Sequence, residues 1–210
     1  MRLVLLLVLL AASADAAPCT GTSARLPDGE CAAWASVLGA LGGPSTCRAT
    51  APCDCGGVAC AGGFSDGKHH IVVIELQEDA SVDGTIPAAV FGPALPKLRE
   101  FVVQSTKLHG TIPATLSSAP ALTRFAVKTC FLGGTIPADL GRLADTLVHF
   151  SIYNNKIAGE LPPSLPALTK LQVLDTYHNK LTGPMPEDIG KMAALEVLQI
   201  DDNWLSGSIP

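Results

Sequence analysis

The chain has 210 residues, a formal net charge of −5, and only 16% charged residues. With 48% apolar residues, 20 Gly and 16 Pro, it is too apolar for disorder and too rich in turn formers for a helical bundle. That leaves one or two domains built of many short elements. Its mild acidity gives no electrostatic case for binding nucleic acid or an anionic membrane surface.

In chain order, the first element is a targeting segment. Arg2 is followed by the apolar run Leu3 to Ala12, and Ala14-Asp15-Ala16 reads as a small-x-small cleavage site. The run is too short for a bilayer, which takes ~20 residues. Residues 1–16 are therefore predicted to be a signal peptide, and the product to be secreted or displayed at the cell surface.

Residues 17–70 form the second unit. Cys19, Cys31, Cys47, Cys53, Cys55 and Cys60 lie here, and a seventh cysteine, Cys130, lies far away. In an oxidising compartment the six are expected to form disulfides. Cysteine spacing with His69 and His70 nearby would also suit zinc, but export favours disulfides, so neither a metal nor a cofactor is expected. From Glu30 to Leu41, Trp34, Val37, Leu38 and Leu41 share one face at helical spacing, and Gly42-Gly43-Pro44 ends the helix. Gly63-Phe64-Ser65-Asp66-Gly67 spells a nucleophile-elbow pattern. It lacks the preceding strand and following helix that the chemistry requires, so it reads as a turn, and no catalytic residues are expected.

Residues 71–210 repeat. Gly-x-[Ile/Leu/Met]-Pro occurs at Gly84, Gly110, Gly134, Gly159, Gly183 and Gly207, at spacings of 26, 24, 25, 24 and 24 residues. Before each copy runs L-x-x-L-x-L-x-x-N, as in Leu195, Leu198, Ile200, Asn203. The last position holds Asp79, Thr106, Cys130, Asn155, Asn179 and Asn203 in turn. A small polar side chain there can satisfy backbone groups where the chain leaves the strand. Cys130 is then a buried, free ladder residue, which accounts for the odd cysteine.

Alternation such as Leu198-x-Ile200 puts two side chains on one face of a short strand. One copy cannot bury that face; stacking copies as parallel strands can. The architecture predicted is an α/β solenoid, a right-handed superhelix with a parallel concave sheet and a disulfide-stapled N-terminal cap. Its concave face carries the side chains between the inward leucines. One column there runs Gln77, Gln104, Lys128, Tyr153, Tyr177, Asp201, and holds both tyrosines of the chain. Tyr suits interfaces because it combines apolar area with a hydroxyl. The predicted binding patch is Arg124, Lys128, His149, Tyr153, Asp175, Tyr177, His178 and Asp201, centred on the two tyrosines; lateral packing that merely stabilises the sheet is the alternative role for that pair.

The unit ending in Leu181-Thr182-Gly183-Pro184-Met185-Pro186 and its siblings resembles the plant-specific leucine-rich repeat of polygalacturonase-inhibiting proteins and receptor-like kinase and receptor-like protein ectodomains. The resemblance implies a capped solenoid that recognises other molecules. Gly57, Val58 and Cys60 match the family's cap, but Asp54 separates the family's adjacent cysteine pair. Six cysteines allow 15 connectivities; Cys55–Cys60 is favoured as a local bridge and the pairing of the other four is left open.

The function expected is extracellular recognition of a protein, peptide or glycan through the concave face, as the ectodomain of a receptor-like protein. The alternatives are inhibition of a cell-wall hydrolase or a structural matrix role. Because the sequence stops at Pro210 inside the sixth, incomplete repeat, it is expected to be part of a longer product. Membrane attachment is expected only if that further part carries a span. The apolar Leu195, Leu198, Ile200, Leu205 and Ile209 would then face water at the open end.

Overall fold

The computed structural model describes residues 26–43, 52–55 and 58–210. The predicted signal peptide, Cys19 and Cys47 lie outside the described residues. The first element is helix α1, Asp28–Ala40. It begins two residues earlier than the apolar pattern suggests because Pro27, extended at ψ 141°, starts it and accepts the first backbone bonds from Glu30 and Cys31. Trp34, Val37, Leu38 and Leu41 are all buried. No helix among the described residues is long and apolar enough to cross a membrane.

Twelve strands follow among the described residues. The main sheet takes β1 (Val58–Ala61), β2 (His70–Gln77), β3 (Glu100–Gln104), β5 (Arg124–Lys128), β7 (His149–Ser151), β9 (Val173–Asp175) and β11 (Val197–Gln199), in that order. Only β1 runs antiparallel to its neighbour. The turn Ser65–Asp66 links β1 to β2, so the Gly-x-Ser-x-Gly pattern does follow a strand, contrary to expectation, but it is a hairpin loop that leads into a second strand and not into a helix. Between main-sheet strands, β4 (His109–Thr111), β6 (Phe131–Gly133), β8 (Ala158–Glu160), β10 (Lys180–Pro184) and β12 (Trp204–Ser206) form lateral parallel pairings, β4 with β6, and β10 with β8 on one side and β12 on the other. After each Gly-x-Ile/Leu/Met-Pro turn from Gly84 to Gly183 the chain makes a short 3₁₀ turn, the first at Ala88–Val90.

Each coil thus has the same parts, and the core runs along their stack. The first inward position of the strands is Ile74, Phe101, Phe125, Phe150 and Leu174, all fully buried. Phe101, Phe125 and Phe150 stack at centroid distances of 5.9 and 5.5 Å, with Phe91 edge-on to Phe101 at 5.5 Å. At the last coil Leu198 is 40% and Ile209 86% exposed, while Leu195, Ile200 and Leu205 are partly covered.

The ladder residues tie successive coils together. Asn179 accepts a bond from Ile157 N–H at 3.0 Å, and its Nδ2 donates to Ile152 O at 2.8 Å, Thr176 O at 3.1 Å and Tyr177 O at 3.3 Å. Asn155 and Asn203 repeat the pattern through Leu132 N–H and Leu181 N–H. In the third coil Cys130, free and buried, makes only sulfur contacts, to Lys128 O at 3.2 Å and Thr106 Oγ1 at 3.4 Å. Leu108 N–H there bonds instead to Thr106 Oγ1 at 3.2 Å. Asp79 bonds Ser81 within its own turn.

The cap corrects the expected disulfide. Cys60 pairs with Cys53, not Cys55, at a Cα–Cα distance of 5.6 Å. The reason is local: Pro52–Asp54 is a 3₁₀ turn facing β1, which puts the more distant cysteine in reach. Cys31 and Cys55 are also disulfide-bonded. The nearby His70 has other partners as well. His70 is buried, with Nδ1 against the buried carboxylate of Glu30 and Nε2 at 3.0 Å from Asp66, and Glu30 Oε2 accepts Ile71 N–H at 2.9 Å. Glu30 of α1 therefore docks the cap helix onto the first repeat strand.

Candidate functional site on the concave face

On the main sheet, equivalent residues of successive repeats stand directly opposite: Gln104 opposite Lys128, Arg124 opposite His149, Ser151 opposite Asp175. Outward side chains therefore form true columns ~4.8 Å apart. Between its exposed ends, Glu75 and Gln199, the middle column does not reach solvent. Val102, Ala126, Ser151 and Asp175 are buried, because they are short and lie between taller flanking columns. Asp175, expected on the surface of the binding patch, is 8% exposed; it accepts bonds from Ser151 Oγ at 2.8 Å and Tyr177 N–H at 3.3 Å. It forms part of the floor.

Tyr153 and Tyr177 follow β7 and β9 and lie face to face, 5.6 Å between centroids and 16° from parallel. They wall a shallow cavity of about 410 Å³ with Gln104, Lys128, Asp175 and Gln199. The cavity offers one cation, two stacked rings and two amides over a carboxylate floor. Such a mixture suits a chain with both backbone polar groups and apolar side chains. The remaining predicted residues divide by position. Arg124 and His149 stand in the parallel column beyond the floor. Arg124 is 3.8 Å from Glu100, and Arg124 Nε and His149 Nε2 are buried without hydrogen-bond partners. His178 lines a smaller depression of about 190 Å³ with Tyr153, Asn154 and Tyr177, and is paired with Asp202. Asp201 is exposed and borders neither hollow.

His149 differs electrostatically from its neighbours. Burial, then the positive charges of Arg124 and Lys128, hold its pKa down at about 4, against a partial opposing effect of Asp175. The ring is neutral at pH 7, so Arg124 and Lys128 carry the positive charge of this part of the face.

Two residues of the cavity, Gln104 and Gln199, were not among the sequence candidates. Their column membership was legible, since Gln104 shares the tyrosine column and Gln199 sits at a middle-column position; neither has a composition signal of its own. The Glu30–His70–Asp66 cluster was also missed, because Glu30 lies 40 residues before His70 and only α1 docking brings it to the histidine.

The leucine-rich-repeat family model matches residues 146–168 and 170–192. Those residues are two of the coils described above, each with its Asn ladder and proline turn. The chain therefore carries leucine-rich repeats over those residues. The chain is also similar to solved plant structures. The ectodomain of the receptor kinase SOBIR1 from Arabidopsis thaliana aligns with a TM-score of 0.73 and 22% identity, over 89% of this chain and 99% of that one. A plant ice-binding protein aligns with a TM-score of 0.74 and 24% identity, over 86% of this chain and 58% of that one. The plant peptide hormone receptor RGFR1, solved in complex with RGF2, aligns with a TM-score of 0.57 and 27% identity, over 65% of this chain and 24% of that one. Among curated proteins no sequence gives a significant match. The repeats of this chain resemble those of the plant structures in having a Gly-x-Ile/Leu/Met-Pro turn and lateral strands beside the main sheet.

Proposed function

We propose that this chain is an extracellular recognition module that binds a protein or peptide on its concave face, as the ectodomain part of a receptor-like protein. The observation that carries this reading is the cavity in which Tyr153 and Tyr177 stack beside Lys128. Support comes from the fold's likeness to plant receptor ectodomains, one of them solved with a peptide hormone, and from the apolar leader of residues 3–12. A peptide laid across the strands would place apolar side chains against the rings and its carbonyls against Gln104, Gln199 and Lys128. Stacked rings are already ordered, so little side-chain entropy is lost on binding.

The test is selection from a displayed random peptide library, followed by affinity measurement with the selected peptides. A Tyr153→Ala/Tyr177→Ala variant is expected to lose about 30-fold or more, as for central aromatic anchors. Equal affinity for the variant, with its folding intact by circular dichroism, would remove the concave site.

A further inference from the structure

The lateral strands carry a second surface, independent of the tyrosine cavity. The residue just after each ladder position, in five successive coils, is Lys107, Phe131, Lys156, Lys180 and Trp204, and all five are exposed. Phe131 is 50% and Trp204 64% exposed, among the largest apolar side chains left open to solvent. Backbone bonds hold the row in place: Phe131 N–H to Leu108 O at 2.8 Å, Lys156 N–H to Leu132 O at 2.7 Å and Lys180 N–H to Ile157 O at 2.7 Å. The Lys156 ammonium lies over the Phe131 ring, 5.1 Å from its centroid. None of the three lysines has a carboxylate within ion-pair distance among the described residues. The acidic groups nearby are Glu160 on the far border of the lateral strands, Asp83 beside His109, and Asp202 beside His178.

The row is not perpendicular to the strands. His109 stands opposite Phe131, Ala158 opposite Lys180, and Thr182 opposite Trp204, so each equivalent residue is displaced two positions along its strand. One strand spacing of ~4.8 Å combined with two residues of ~3.3 Å each gives a step of roughly 8 Å. The side chains thus form an oblique line of roughly 30 Å over four steps. The strip beside it is low, because the positions two residues further on are Gly133, Ala158, Thr182 and Ser206 in the last four coils.

We infer that this face binds a linear acidic polysaccharide, its carboxylates paired with Lys107, Lys156 and Lys180 and its sugar rings stacked on Phe131 and Trp204. Unpaired cations call for a polyanion. Exposed aromatic faces among them call for a polymer that also has flat C–H faces to stack. A step on the scale of a disaccharide unit, repeated along a straight low strip, suits a stiff sugar chain better than a folded protein surface.

The experiment measures binding of linear oligogalacturonates to the full chain at low and high salt. Wild type is expected to bind and to weaken as salt rises. Lys107→Gln/Lys156→Gln/Lys180→Gln is expected to lose about tenfold or more, and Phe131→Ala/Trp204→Ala about as much. Methyl-esterified oligomers, with the rings but not the charge, should bind as weakly as the lysine variant. Poly-glutamate, with the charge but not the rings, should bind more weakly than the oligogalacturonate. The Tyr153→Ala/Tyr177→Ala variant should bind the oligogalacturonate like wild type, which separates this surface from the concave one. Absence of binding, equal binding by the lysine variant, or loss of binding in the tyrosine variant overturns the assignment. Equal binding of poly-glutamate, unaffected by loss of Phe131 and Trp204, overturns the choice of a sugar polymer. All five side chains are exposed, so circular dichroism should show every variant folded.

Discussion

His149 is half-buried on the concave face with its pKa lowered from 6.5 to about 4. In the unfolded chain the ring binds its proton near 6.5, so between those values the unfolded state holds more protons than the folded one. Stability from this residue is therefore full at neutral pH and is lost as pH falls from about 6.5 through about 4. Melting temperature followed from pH 7 to pH 4 should drop less in His149→Gln than in wild type; parallel curves would show that the ring is protonated alike in both states. His149 was legible in the sequence as an outward position. Its lowered pKa was not, because that depends first on burial in the folded sheet and then on Arg124, brought directly opposite by strand register.

The ladder and the cap junction decide how one element holds the next. Removing the Asn179 amide strands Ile157 N–H and Ile152 O in the core. Asn179→Ala should destabilise by about 3 kcal/mol, read by urea denaturation; a loss below about 1 kcal/mol would mean water replaces the amide. The sequence displayed this role plainly, since Asn recurs at one position of three successive repeats. The cap junction was less legible. Gly84 was recognised only as the start of a repeat turn, yet a Cβ there would lie 2.1 Å from Ala40 O and 2.7 Å from Leu41 C, where α1 ends. Across the junction a Cβ on Gly42, at φ +90°, would lie 2.7 Å from the backbone of Asp83, and Thr85 N–H bonds Ala40 O at 2.7 Å. Backbone cannot move aside as a side-chain tip can. Gly84→Ala should cost about 2 kcal/mol or more and undock the cap, whereas Gly190→Ala, with open space around it, should stay within about 1 kcal/mol of wild type. Equal melting temperatures for the two variants would contradict a rigid junction.

Across the whole molecule, stability is carried from coil to coil, each covering its neighbour's apolar face. Cys130, in the third coil and 6% exposed, reports on the middle of that stack. A small thiol reagent should leave it unmodified in the native protein and label it only across the denaturation transition, at or above the midpoint seen by circular dichroism. Rapid labelling under native conditions would show that the centre opens on its own.

The repeat period and the inward leucines were readable from the sequence alone because each is dictated within a single coil: a strand two residues in period, a ladder residue, a Gly-Pro turn. Those local rules determined the solenoid, its parallel sheet and the columns of the concave face. What the tertiary structure decided are relations between coils or between cap and repeats. Cys60 found Cys53 through the turn at Pro52–Asp54, Asp175 was covered by its taller neighbours, and His70 met Glu30 when α1 docked. The lateral row runs obliquely because its strands pair two residues out of step, whereas the main sheet pairs in step. Such offsets depend on how whole coils settle against each other, and no pattern within one repeat encodes them.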